Sequence, residues 1–166
     1  MPANRSRGKK RAIDLATPGR KIVSEVTMQA ASTSEVDKVI ATNRAYYQAL
    51  SACDLQAMEQ VWTCGSDNIL IAPPVDPVTY VGWEAIRRNW ERYWARFEDL
   101  RVSMTEPTVN INGPVAWVHG IETSQRRAKD GKMSRSTNYG TNIFVKHDDG
   151  WRMVFHQAAL IPGQES

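Results

Sequence analysis

Residues 112–150 read NGPVAWVHGIETSQRRAKDGKMSRSTNYGTNIFVKHDDG, and the turn pairs in this stretch decide the fold. Asn112-Gly113, Asp130-Gly131 and Asp149-Gly150 tolerate the positive φ angles of tight hairpin turns, and the segments between them alternate. They predict an antiparallel meander with strands near 114–126, 132–147 and 151–160. Upstream, residues 100–111 add a strand broken or bulged at Pro107. Asn68-Ile69-Leu70-Ile71-Ala72 is a short apolar strand closed by Pro73-Pro74, neither of which can donate to a ladder. Residues 73–81 then read as a loop over a pocket mouth.

Three helix-period segments come first. Ser32 and Glu35 have the spacing of a capping box, and Val36, Val39, Ile40, Asn43, Tyr47 and Leu50 follow as one buried stripe with Tyr46 at its margin. Asp54 can cap a second helix, in which Leu55, Met58, Val61 and Trp62 share a face. Trp83, Ile86, Trp90, Tyr93, Trp94 and Phe97 form the aromatic stripe of a third, with Glu84, Arg87, Arg88, Glu91 and Arg92 towards water. Helices followed by strands, without βαβ alternation, mean α+β, and helices covering one sheet face leave a pocket between the layers.

At 166 residues and 42% hydrophobic, the chain can bury one good core. The sequence pI is 9.0, but the basic charge is concentrated at the start. Residues 1–31 carry seven basic side chains against two acidic ones, so the remainder nets −2 and has no electrostatic reason to hold nucleic acid. That basic segment, with Pro2, Gly8, Pro18 and Gly19, reads as a disordered tail, or as sequence upstream of a start at Met28. The expected organisation is tail 1–31, domain 32–162 and C-terminal tail 163–166. No apolar run reaches the roughly 20 residues of a membrane span. Cytoplasmic residence is expected, with Cys53 and Cys64 as reduced structural thiols.

Alternation assigns sheet faces. In the last strand Trp151, Met153, Phe155 and Gln157 are expected to face the helices, with His156 outward unless a bulge reverses it. In the 114–126 strand Trp117, His119 and Ile121 are expected inward, with Val118, Gly120 and Glu122 outward. Asn138, Asn142 and Phe144 share one face of the long strand, opposite Tyr139, Thr141, Ile143 and Val145, and the apolar count does not choose between them. An outer face carrying Val118, Ile143, Val145 and Val154 predicts pairing with a second copy, a homodimer.

Tyr46-Tyr47-Gln48-Ala49-Leu50-Ser51-Ala52-Cys53-Asp54-Leu55, Trp62, Gly82-Trp83-Glu84-Ala85-Ile86-Arg87 and Asp149-Gly150-Trp151-Arg152-Met153-Val154 together resemble the nuclear-transport-factor-like superfamily. That group includes ketosteroid isomerases and SnoaL-like polyketide cyclases. The resemblance, over about residues 33–161, implies a cone-shaped fold with three helices on a curved antiparallel sheet around a pocket. It also implies a small hydrophobic ligand and no cofactor or metal. Matched to ketosteroid isomerase, whose tyrosine and protonated aspartic acid hold an oxyanion, the tyrosine falls on Tyr46 and the acid on Asn142. The base position falls on Pro73, so the usual base is missing.

His119, His156 and Asp76 are the candidates to replace that base. Trp62, Trp90, Tyr93, Trp117, Phe144 and Phe155 are the expected ligand-lining residues, while Glu122 and Arg135 are placed on the outer face or rim. Two functions follow: a cofactor-independent isomerase, cyclase or dehydratase, or a non-catalytic dimeric ligand-binding or assembly domain.

Overall fold

A computed structural model describes residues 19–71 and 78–165. The chain divides into two compact units, Met1–Ser32 and Thr33–Ser166. Of the first, the structure describes helix backbone from Gly19. Tail residues 1–18, Pro73 and Asp76 lie outside the described residues.

Helix α1 is Gly19–Ala52, α2 is Leu55–Val61 and α3 is Trp83–Trp94. Ser32 therefore lies within α1 rather than capping it. Glu35 makes a different set of bonds: it pairs with Lys38 and Lys146 at 2.8 Å each and accepts from Trp151 Nε1 at 3.1 Å. Its carboxyl is held down at about 2, chiefly by the Lys146 bond. This ties the helix to the last hairpin. Asp54 caps α2, accepting from the Ala57 N–H at 3.0 Å.

Six strands follow: β1 Ile69–Ile71, β2 Thr79–Val81, β3 Phe97–Asn112, β4 Val115–Ala128, β5 Met133–His147 and β6 Gly150–Glu165. Their order in the sheet is β2-β1-β6-β5-β4-β3. The four long strands form the expected antiparallel meander, with Gly113 and Gly131 at φ 58° and 82° in its turns. Two features differ from expectation. Residues 79–81, read as loop, form β2 against β1, and β1 pairs parallel to β6, so the open, curved sheet is mixed. Both follow from the chain's return across the sheet edge before α3, which no local pattern encodes.

The β3 register breaks between Thr105 and Thr108, where Pro107 cannot donate. A second break sits between β5 and β6: Ile143 pairs Phe155 and Phe144 pairs Met153, leaving Val154 as an unpaired bulge. Trp151 and Met153 face inward as expected, and past the bulge His156 and Ala158 do so too. Phe155 and Gln157 leave the buried face for that reason.

On β4 the faces are the reverse of the expected ones. Ala116, Val118, Glu122 and Ser124 are buried, while Trp117 is 39% exposed and His119 is exposed. The inner face takes small side chains because the bulky ones come from the helices: Tyr46, Tyr47, Leu50, Trp83, Ile86 and Trp90 supply the core over it. Val118 therefore belongs to this core and not to the outer face.

Ile86 is wholly buried on α3. We expect Ile86→Ala to cost about 2–5 kcal/mol, read as a lower urea midpoint at unchanged slope.

Candidate functional site

Between α3 and the sheet lies a cavity of about 220 Å³. Leu50, Leu70, Trp90, Tyr93, Phe97 and Val102 form its apolar wall, and Glu122, Ser124, Asn138 and His156 its polar floor. Arg92, Arg96, Arg126 and Asn89 also border it. Glu122, Ser124 and Arg126 come from alternate positions of one strand, which lines them along one face.

Glu122 is the centre of this floor. Its residue is 4% exposed, and loss of water is the largest influence on its carboxyl, which is raised to about 7. The Tyr47 hydroxyl donates to Oε2 at 3.0 Å and partly offsets that shift. His156 Nε2 stands 3.8 Å from the same oxygen. That separation would suit an ion pair, but burial lowers the imidazole to about 3, so the shared proton resides on Glu122 and His156 is neutral.

A chain of amides sets the tautomer. Asn142 Nδ2 donates to Asn43 Oδ1 at 2.7 Å, and its Oδ1 is 2.6 Å from His156 Nδ1. With the amide in that orientation His156 carries its hydrogen on Nδ1, so Nε2 presents a lone pair to Glu122. Asn142 Nδ2 also approaches the Tyr47 hydroxyl at 3.4 Å. Close approach makes this geometry possible. A Cβ on Gly140 would stand 2.9 Å from Met104 Cε, 3.2 Å from Glu122 Cβ and 3.3 Å from the Tyr47 hydroxyl oxygen. Glycine there lets the tyrosine reach the carboxyl.

The sequence-predicted residues divide among several environments. His156 reaches the floor through the Val154 bulge, and Trp90 and Tyr93 line the cavity. Asn142 is buried beside them with both ends of its amide engaged, so it orients His156. Tyr46 is fully buried, its ring 4.9 Å from that of His156 and its hydroxyl without a partner among the described residues. Trp62 and Phe144 are buried in the core and do not border the cavity. Trp117 and His119 lie on the outer face, where His119 stacks on Tyr139 and bonds Thr141 at 3.0 Å. Phe155 sits beyond the bulge, away from the floor. Strand alternation alone puts Glu122 on the outer face, and helix periodicity puts Tyr47 in the core. The available signal was the small-residue parity Ala116, Val118, Gly120, which Glu122 shares.

Among the described residues no cluster of metal-binding side chains occurs, and no helix is long and apolar enough to cross a membrane. A family profile described as SnoaL-like domain matches residues 39–162. No curated protein matches the chain. Many solved structures share the fold, among them the following three. One is a provisionally assigned dehydratase of the NTF2-like family from Streptomyces avermitilis, with TM-score 0.70 and 19% identity over 78% of this chain and 98% of that one. Another is a provisionally assigned aromatic ring hydroxylase from Novosphingobium aromaticivorans, with TM-score 0.73 and 17% identity over 81% and 93%. The third is an NTF2-like protein with a cystatin-like fold from the same organism, with TM-score 0.70 and 17% identity over 87% and 94%.

Two linked titrations follow. Raising Glu122 from 4.5 to about 7 favours the folded state below pH 4.5, and that contribution is lost as pH rises through 7. Lowering His156 from 6.5 to about 3 gives a contribution present above pH 6.5 and lost as pH falls towards 3. We expect Glu122→Gln to remove the alkaline loss. Its stability relative to wild type should rise between about pH 5 and pH 8 by at most about 3 kcal/mol. Urea unfolding at both pH values checks this, and a pH-independent difference would sink it.

Proposed function

The chain belongs to the SnoaL-like domain family, and on that premise we propose that it binds a small, largely apolar molecule in the α3–sheet cavity and moves a proton on it without a cofactor. The reaction class is isomerase, cyclase or dehydratase chemistry. The observation that carries the reading is Glu122: a carboxyl facing a mostly apolar cavity and raised to about 7, beside a neutral imidazole. A general base works best when its pKa lies near the operating pH. Glu122, on β4, takes the proton that the base missing at Pro73 would have taken.

His156 and Tyr47 have separate parts. Tyr47 donates to the carboxylate and restrains its rotation, so the free oxygen addresses the ligand. His156, pinned by Asn142 and kept neutral by burial, turns its Nε2 lone pair towards the carboxyl and leaves the proton on Glu122. Trp90 Nε1, which borders the cavity and is buried without a partner among the described residues, is the donor closest in kind to what a developing oxyanion needs.

A nitrobenzisoxazole tests the base directly. A carboxylate removes its ring C–H proton, the N–O bond breaks and a coloured cyanophenolate results. We expect turnover that rises with pH to a plateau, with a midpoint near 7, because the ionised form is the base. Glu122→Gln should lower it by about 10²–10⁴-fold. Equal rates for wild type and a folded Glu122→Gln protein would refute the assignment.

We further propose that the outer sheet face pairs with a second copy. Trp117, Tyr139, Val115 and Met133 are 39%, 48%, 36% and 56% exposed there or at its rim. Grouped apolar side chains on an open face are characteristic of an interface. Native mass spectrometry should give a dimer for wild type and monomer for Trp117→Arg; a wild-type monomer would overturn the pairing.

A further inference from the structure

The cavity border is unevenly charged. Arg92, Arg96 and Arg126 line it, and among the described residues Glu122 is the only acidic one that does. Among the described residues the arginines paired with carboxylates are Arg87, Arg101, Arg127 and Arg152, so none of the three at the cavity has an acidic partner. Three guanidinium groups beside one aromatic-walled space, against the single carboxyl of Glu122 that Tyr47 already engages, attract an anion from elsewhere.

Arg126 adds a second and more specific observation. Its Nη2 donates to Ser136 Oγ at 2.8 Å, which fixes the guanidinium against the floor. Its Nε is buried and has no partner among the described residues. A buried N–H of a charged group without an acceptor is costly, and a ligand oxygen would remove that cost. The guanidinium fork matches a carboxylate in geometry as well as in charge.

Spacing along β4 then sets where the charge of a ligand must lie. Glu122 and Arg126 are four residues apart on the same face, about 13 Å of strand, less the reach of the two side chains towards each other. The volume is below the roughly 300–1,000 Å³ of sites for drug-sized molecules, leaving room for one or two rings. We infer that the ligand is a small aromatic carboxylic acid. Its carboxylate lies on Arg126, with Arg96 and Arg92 towards the opening, and its rings lie between Trp90, Tyr93 and Val102, with the far edge towards Glu122.

This inference rests on the cavity being the ligand site, as proposed above, and the experiment separates the two. Binding of 2-naphthoate, 2-naphthamide and 2-naphthylmethanol to the full chain is measured by tryptophan fluorescence and calorimetry at about pH 6, where Glu122 is largely neutral. The acid should bind at least about tenfold more tightly than either uncharged analogue, the scale of one charge-assisted pair. Arg126→Gln should erase that preference. Arg96→Gln, at an exposed position that tolerates substitution, should reduce it, which keeps the test open if Arg126→Gln does not fold. Equal binding of acid and amide would overturn the carboxylate assignment and leave the cavity reading intact. Binding by none of the three would overturn both.

Discussion

A carboxyl group with almost no access to water governs the interior of this protein. Glu122 loses its hydration when the aromatic stripes of α1 and α3 close over the sheet, and it keeps one strong bond in exchange, from the Tyr47 hydroxyl at 3.0 Å. Everything around it is arranged by what that group requires. Burial keeps His156 neutral, and Asn43 and Asn142 fix its tautomer with the lone pair towards the carboxyl, so the two buried titratable groups share one proton instead of carrying two charges. A network of this kind rigidifies a core only when every member is satisfied. Of the seven buried side-chain atoms without a partner among the described residues, Arg126 Nε, Asn138 Oδ1 and Trp90 Nε1 belong to residues that border the cavity, and those of Tyr46, Trp62, Asn68 and Trp94 do not.

The backbone makes room for this arrangement at two places. Gly120 and Gly140 face each other across β4 and β5, and Met104 packs against both; a larger residue at Gly120 would meet Met104 and the Thr105 carbonyl, and one at Gly140 would push the tyrosine and the carboxyl apart. On β6 the single unpaired residue Val154 inverts the alternation and brings His156 to the same face as Met153. One extra residue in a strand thus decides whether the imidazole meets the carboxyl or the solvent.

Membership of the SnoaL-like domain family accounts for the scaffold and leaves the chemistry open, since one fold carries many sites. The three solved structures named above that share it are below 20% identical to this chain. In ketosteroid isomerase, as the sequence resemblance lays it out, the base comes from the segment before β2, and this chain has Pro73 there. The carboxyl proposed for that role here comes from β4, three strands in from β1 in the same sheet.

Much of this was legible in the order of residues. The Asn-Gly and Asp-Gly pairs specify hairpins because they relieve the strain of positive φ locally. The helix periods specify buried faces because one side of each helix has to leave water. Trp90 and Tyr93 followed from the same periodicity. The sequence by itself thus determined the α+β class, the meander and the aromatic roof. Only the tertiary structure decided which face of β4 lies inward. Apolar residues occur at both parities of that strand, and the choice depends on how much volume the helices have already filled. It alone decided that β1 runs parallel to β6 and that Val154 bulges, because both depend on pairing between residues far apart in the chain. Glu122 and His156 lie about 34 positions apart, and their meeting is a product of sheet register, which no local pattern carries.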